Sequence, residues 1–146
     1  MENISLDVTL DEIIQELDDK NLLYLTSGKI KELKNNVLQK LVITRDEVLH
    51  FHKVLKEYRY IDELDEIKIG GYIRWINLHD PENVKLTNGG IIVDIQNGKE
   101  DLQIICKNRM NRMFSLNLQS CLIFQKMNAQ EKILIKIIDY ASNSDG

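Results

Sequence analysis

The chain has 146 residues, of which 43% are hydrophobic and 29% charged, with a single proline and seven glycines. This composition is typical of a soluble globular protein with one domain, or one domain and a small subdomain, and it excludes a long disordered linker. The formal net charge of −4 argues against a dedicated nucleic-acid binder, because the field of the whole molecule opposes a polyanion.

The N-terminal residues contain no basic region followed by an apolar run, and no apolar run in the chain has the length of a bilayer span. We therefore expect a soluble intracellular protein that does not contact a membrane. Cys106 and Cys121 both lie in apolar strand patterns. This placement favours buried thiols over a disulfide.

Three helices are predicted before residue 66. The first begins at a capping-box sequence over residues 9–12, and the second begins at Ser27, with apolar residues recurring at helical spacing. The third begins at another capping box, residues 44–47, and its apolar side carries Val48, Phe51, Leu55 and Tyr58. The short connection between the second and third helices predicts a helical hairpin or a helix-turn-helix.

Five strands are predicted between residues 67 and 127, separated by turns rich in glycine, asparagine and charged residues. In the first strand, Ile73 and Trp75 share one face. In the second, Ile91, Val93 and Ile95 alternate with polar residues, and Asn97-Gly98 predicts a hairpin turn. Asn128 can cap a final helix. We thus predict an α+β protein in which N-terminal helices, residues 1–66, pack on a five-stranded antiparallel barrel with a C-terminal helix, residues 67–146.

The five predicted strands are joined, in chain order, by a long loop, a tight turn, a short turn and a brief break. This order resembles the SH3-like small barrels, a group that includes SH3, Tudor and KOW-type modules. The resemblance covers residues 67–127 and implies binding of peptides, modified side chains or nucleic acid, and rarely catalysis. The abundance of Ile, Asn and Lys resembles that of proteins encoded by the AT-rich genomes of large DNA viruses. That likeness implies a virion or host cytoplasm as the location.

No convergent set of catalytic or metal-binding residues is evident. His50 and His52 are two apart on a predicted helix and therefore lie on different faces, which does not suit a zinc site. Ser27-Gly28-Lys29 lacks the upstream glycine of a phosphate-binding loop. We therefore predict a protein that is not an enzyme and that needs no metal and no cofactor.

The leading hypothesis is an interaction or assembly module that binds another protein. Its candidate partner-binding residues are Tyr72, Arg74 and Trp75 of the first predicted strand. An aromatic side chain in that strand serves either in the core or in a groove for a peptide or cation, and core packing is the commoner role. The sequence also leaves room for a homo-oligomer.

The alternative hypothesis is an accessory protein that binds nucleic acid. A turn containing Lys107, Arg109 and Arg112 could grip phosphates. The third predicted helix could act as a recognition helix if the hairpin is a helix-turn-helix. The basic residues that this alternative uses from that helix are Arg45, Lys53, Lys56 and Arg59.

Overall fold

The computed structural model describes residue 12 and residues 26–63, 66–97 and 101–144. The chain forms two compact units, one of residues 1–30 together with 129–146, the other of residues 31–128. The first predicted helix, apart from residue 12, lies outside the described residues. The predicted division of the chain at residues 66 and 67 stays a prediction.

Two helices precede the strands. Helix α1 spans Ser27–Gln39, and helix α2 spans Arg45–Val54. The predicted capping box of α2 is confirmed, because the Thr44 hydroxyl accepts a hydrogen bond from the Glu47 backbone N–H, and the Glu47 carboxylate accepts one from the Thr44 backbone. Leu55 caps the C-terminal end, and its N–H donates to the Phe51 carbonyl.

The described strands form one antiparallel sheet of six strands: β1 Tyr58–Ile61, β2 Tyr72–Asn77, β3 Gly90–Asn97, β4 Leu102–Lys107, β5 Met113–Asn117 and β6 Cys121–Lys126. Their order across the sheet is β1-β6-β2-β3-β4-β5. The pairing of β3 with β4 fits the predicted hairpin, although Gly98 of its turn lies outside the described residues.

The α+β class is confirmed, but the five-stranded SH3-like barrel is not. The sheet has a sixth strand, β1, and it is open, with β1 and β5 at its edges. Tyr58, predicted on the third helix, begins β1 because α2 ends at Val54 and the alternating Tyr-Arg-Tyr-Ile segment suits a strand. The side chain of Ile61 is 2% exposed, so β1 contributes to the core of the sheet.

The two faces of the sheet contribute to two apolar clusters in the unit of residues 31–128. The inner face, including Ile73, Trp75, Ile92, Ile104, Cys106, Leu116 and Ile123, forms the larger cluster. The sheet curls enough for the Trp75 ring on β2 to lie 6.1 Å from the Phe114 ring on β5, centroid to centroid. On the outer face, Ile76 and Phe124 pack with Leu38 of α1 and with Val48, Phe51 and Leu55 from the α2 region.

The phase of β3 differs from the predicted alternation. Ile92, not Ile91 or Val93, is the fully buried residue, while Ile95 packs against the inner core. The register between β3 and β4 shifts between Ile92 and Asp94, which marks a β-bulge. A bulge adds one residue to a strand, so two core residues can be three apart instead of two.

In the unit of residues 1–30 and 129–146, helix α3 spans Ala129–Ser144 and follows Asn128, as the capping signal predicts. The Ser27 N–H donates to the Asp139 carboxylate over 3.0 Å. Ile30, Ile135 and Ile138 are buried. These contacts tie the start of α1 to α3.

Candidate functional site

The helical hairpin of α1 and α2 covers only part of the outer face of the sheet. Its apolar side chains cluster with outer-face residues of β1, β6 and β2. On β3, β4 and β5, the residues on the same face remain exposed or half-buried. We call this uncovered part the open face and define it by Ile91, Val93, Asp94, Ile105, Lys107, Met113 and Ser115.

Strand register places these side chains beside one another. Ile91 pairs with Tyr72 on β2 and with Lys107 on β4, and Lys107 pairs with Met113 on β5. Directly opposed residues of antiparallel strands put their side chains on the same face, about 5 Å apart. A continuous row therefore runs from the hairpin-covered half of the sheet to its free edge.

The open face is apolar at several positions. Ile91 is 47% exposed, Val93 40% and Met113 55%. Lys107 lies within the row and is exposed, so its aliphatic stem adds to the apolar area while its amine stays in water. Adjacent apolar side chains on one sheet face are more informative than isolated ones, because they can be covered together by one partner.

Tyr72 and Arg74 lie at the border between the covered and open parts of the outer face, and both are half-buried. The Tyr72 hydroxyl donates to the Asn88 carbonyl over 2.6 Å, and the Arg74 Nε donates to the Thr87 carbonyl over 2.7 Å. These bonds fix both side chains against the segment before β3. Such fixing lowers the conformational entropy that either side chain would lose on binding a partner.

Trp75 lies on the other side of the sheet. Its side chain is 7% exposed and packs in the inner core against Phe114. Its backbone N–H donates to the Thr87 hydroxyl over 3.1 Å, and its carbonyl accepts from the Thr87 N–H over 3.0 Å. Trp75 therefore offers a partner very little of its indole surface. A binding role for the three residues of this strand stays a prediction.

The turn between β4 and β5 brings Lys107, Arg109 and Arg112 together, all three exposed. Its shape depends on Asn108, whose side-chain oxygen accepts hydrogen bonds from the Met110 and Arg112 backbone N–H groups, each over 2.9 Å. This arrangement is an Asx-type turn, in which a side chain replaces a backbone acceptor. The three basic side chains make no ion pair with any described residue.

The basic residues predicted on the third helix are separated by the structure. Arg45 and Lys53 lie on α2 and are exposed, and Lys56 lies in the turn after it. Arg59 is instead on β1, 5% exposed, with its Nη1 3.7 Å from the Glu66 carboxylate. The prediction that Arg59 belongs to a recognition helix is wrong, because the helix ends five residues earlier.

Buried titratable groups occur away from the open face. Burial raises the pKa of the Cys106 thiol to about 11, with a smaller effect of Cys121, and burial also raises the pKa of Cys121. Both cysteines are free and buried. Lys34 is 3% exposed, and its amine donates to the Leu55 carbonyl over 2.8 Å. Burial, and secondarily the nearby Lys31, lowers the pKa of Lys34.

Sequence reasoning missed the open face. The predicted alternation set Ile91, Val93 and Ile95 apart from the polar residues of the strand, whereas Ile91 and Val93 are substantially exposed and only Ile95 packs against the inner core. The run Ile91-Ile92-Val93 is compatible with either phase, and only the pairing of Ile92 with Cys106 distinguishes them. Met113 and Met110, three residues apart in the sequence, could have indicated a binding surface, because methionine is frequent at adaptable binding surfaces. Met110 is 85% exposed.

Comparison with protein-family models, with curated proteins and with solved structures gives no match to this chain. Among the described residues, no helix is long and apolar enough to cross a membrane. The same residues include no group of three or more His, Cys, Asp or Glu side chains arranged to hold a metal ion.

Proposed function

We propose that the protein is a non-enzymatic interaction module that binds another protein through the open face. The observation that carries this proposal is the row of exposed side chains on adjacent strands, Ile91, Lys107 and Met113, beside the half of the sheet that the hairpin covers. Water contacts these apolar groups in the free protein. A partner that covers them gains about 25 cal/mol for each Å² of apolar surface removed from water.

Tyr72 and Arg74 extend this surface on the side of the hairpin. The Nε of Arg74 is held by Thr87, which leaves its terminal guanidinium nitrogens available to a carboxylate or carbonyl of the partner. Burial raises the pKa of the Tyr58 hydroxyl, and the positive charge of Arg74 lowers it in part. A rigid tyrosine and a positioned arginine are residue types frequent in the energetically important parts of protein interfaces.

The test is a comparison of proteins captured from a lysate of the source cells by the wild-type chain and by Ile91→Glu. A carboxylate at position 91 should cost about 2 kcal/mol or more of binding free energy, since it places a charge in an apolar contact. Val42→Glu is the matched control, because Val42 is 86% exposed and lies in the loop between α1 and α2. Partners lost with Ile91→Glu and kept with Val42→Glu support the proposal. Identical capture by all three proteins rejects the open face.

The substitutions Tyr72→Ala and Arg74→Ala test the border of the surface separately. Each should weaken capture of the same partners, while leaving the inner core intact because neither side chain lies on the inner face. Unchanged capture by both variants would remove these two residues from the proposed interface.

Nucleic-acid binding through the turn of residues 107–112 is the second candidate. It is supported by the three exposed basic side chains of that turn, which lack ion pairs with described residues. Phosphate contacts make affinity fall steeply with salt. A gel-shift series with single- and double-stranded DNA and RNA should then show binding that disappears as salt rises, and no binding at low ionic strength would reject this candidate.

A role as a component of a virion or of a multiprotein complex is compatible with either candidate. The support for the viral alternative is the compositional resemblance alone. Self-association through the open face would also bury the apolar side chains of Ile91, Val93 and Met113. Sedimentation of wild-type and Ile91→Glu proteins distinguishes that case, because a homo-oligomer formed through this face should dissociate in the variant.

A further inference from the structure

Strand β5 is an edge strand of the open sheet. It pairs with β4 on one side, and no described strand pairs with it on the other. An unprotected edge presents unpaired backbone N–H and C=O groups, which natural proteins usually shield with lysine, proline, a bulge or a covering segment. The β5 sequence, Met-Phe-Ser-Leu-Asn, contains no charge and no proline, and its register with β4 is continuous.

The phase of the hydrogen bonds identifies which backbone groups face the free edge. The Asn108 N–H donates to the Arg112 carbonyl, so the position 108–112 is a hydrogen-bonded pair. Such pairs alternate with non-hydrogen-bonded pairs along an antiparallel ladder. With the continuous register, Phe114 and Leu116 bond to β4, and the backbone groups of Met113 and Ser115 point away from it.

The same two residues contribute side chains to the open face. Met113 pairs with Lys107 and Ser115 with Ile105, and both are exposed. The row of Ile91, Lys107 and Met113 therefore ends at a free backbone edge. A strand added there would form main-chain hydrogen bonds with Met113 and Ser115, and its side chains on the same face would lie beside theirs, at the β5 end of the open face.

Charge at one end of this edge is one-sided. The turn that leads into β5 supplies Arg109 and Arg112, and the last residue of β4 is Lys107. None of the three forms an ion pair with a described residue. Unpaired basic side chains next to an open edge select for a ligand with carboxylates at the matching end.

We propose that β5 accepts an extended peptide segment of another protein as an additional strand, and that this segment carries acidic residues at the end beside the turn of residues 107–112. This inference rests on the proposed function, since the added strand would bind at the β5 end of the open face. A peptide is favoured over nucleic acid because phosphodiester groups only accept hydrogen bonds and cannot donate to the C=O groups of Met113 and Ser115, whereas a peptide strand both donates and accepts.

The experiment uses the full chain, immobilised, and a display library of random dodecapeptides. Enriched peptides should alternate β-branched or apolar residues with others and should carry Asp or Glu at one end. Absence of enrichment, or enrichment of basic peptides, overturns the proposal. A labelled single-stranded oligothymidylate serves as the nucleic-acid probe, and tighter binding of that probe than of any enriched peptide also overturns it.

Strand addition makes a distinctive prediction for the peptide backbone. Along the peptide, only every second N–H points to β5. N-methylation of alternate residues in one phase should therefore weaken binding to the wild-type protein at least tenfold, and N-methylation in the other phase should change it less than threefold. Equal effects of the two methylation patterns would contradict strand addition, and this measurement does not depend on any protein variant.

Protein variants provide a second line of evidence. Ser115→Pro removes an N–H at the free edge, where proline is compatible with a strand, and should weaken peptide binding at least tenfold relative to Ser115→Ala. The double substitution R109E/R112E should remove the preference for acidic peptides and create one for the same peptides with Lys in place of Asp and Glu. Arg45→Glu, on α2, is its control. Equal binding by Ser115→Pro and Ser115→Ala, or an unchanged charge preference, overturns the proposal.

The outcomes separate this inference from the proposed function. If Ile91→Glu abolishes capture of partners and neither methylation pattern matters, the open face binds a partner without strand addition. If the methylation pattern matters and Ile91→Glu has no effect, the β5 edge binds a peptide without using the open face.

Discussion

Burial determines the chemistry of the two cysteines. Cys106 is fully buried on the inner face, and its pKa is raised to about 11. At pH 8 roughly one thiol in a thousand would then be ionised at that site, and the thiolate is the reactive form. We therefore treat both cysteines as packing residues of the core.

A labelling experiment checks this conclusion. In the native protein at pH 8, neither cysteine should react with a disulfide reagent such as DTNB, and both should react when the protein is unfolded in guanidinium. Because burial raises both pKa values, reactivity of the folded protein should increase only as the pH rises well above 9. Stoichiometric labelling of the native protein within seconds would contradict the packing role.

Among the glycines that the structure describes, Gly89 is the one whose backbone and surroundings most clearly exclude other residues. Its φ is +101°, and an added Cβ would lie 2.6 Å from the Ile73 carbonyl oxygen and 2.7 Å from the Tyr72 ring. Gly89→Ala should therefore reduce the free energy of unfolding by about 2 kcal/mol or more, from strain and steric overlap. Chemical denaturation measures this loss.

Gly28→Ala is the matched control for that substitution. Gly28 lies in the first turn of α1, and an added Cβ would meet nothing within 4 Å. Alanine should stabilise the helix there by about 0.5–1 kcal/mol. A similar destabilisation in both variants would show that the local geometry at Gly89 does not set its requirement for glycine.

At the scale of elements, local signals predicted the start of α2 well. A capping box depends on residues three apart and needs no tertiary information, and Thr44 with Glu47 forms it as predicted. We expect Thr44→Ala to lower the free energy of unfolding by about 1 kcal/mol. In the same denaturation assay, Val42→Ala should change it by less than about 0.5 kcal/mol. Equal effects would argue against the cap.

The end of the same helix could not be predicted from periodicity. Val48, Phe51, Leu55 and Tyr58 keep helical spacing, yet Tyr58 begins β1. Tyr58 is buried in the cluster beneath the hairpin, and such a core position fits a residue at the end of the helix as well as one at the start of a strand. Only the pairing of Tyr58 with Lys126 of β6 reveals the strand, and that contact joins residues far apart in sequence.

Strand β2 shows the opposite case. The prediction that Ile73 and Trp75 share one face is confirmed, because both are in the inner core. Ile76 packs on the outer side with the hairpin. Because polar Arg74 lies between the core residues Ile73 and Trp75, the sequence indicated unambiguously which residues of β2 face the core. In β3, three consecutive apolar residues gave no such marker, and the bulge after Ile92 changed the spacing of core positions.

For the whole molecule, the sequence predicted the α+β class and the antiparallel strands but not the open edge. Closure of a sheet depends on the register and curl of every strand together, which local patterns do not contain. The candidate site was missed for the same reason. Ile91, Lys107 and Met113 are distant in sequence and become neighbours only through two strand pairings.

The incomplete cover of the sheet by the hairpin is what gives the molecule a candidate working surface. Residues of β1, β6 and β2 are buried on both faces, whereas β3, β4 and β5 are buried mainly on one. In an antiparallel sheet with one face in the core, the face exposed to solvent is normally polar. Ile91, Val93 and Met113 depart from that rule together, which is why we assign them to a partner.

Site-specific photocrosslinking tests this assignment most directly. A benzophenone amino acid at position 91 or 113 in the full chain, irradiated in the source cells, should yield protease-sensitive adducts of higher mass. The same group at position 42, an exposed apolar site in the loop between the helices, should not yield those adducts. Adducts of the same kind and yield at position 42, or none at positions 91 and 113, would contradict the account.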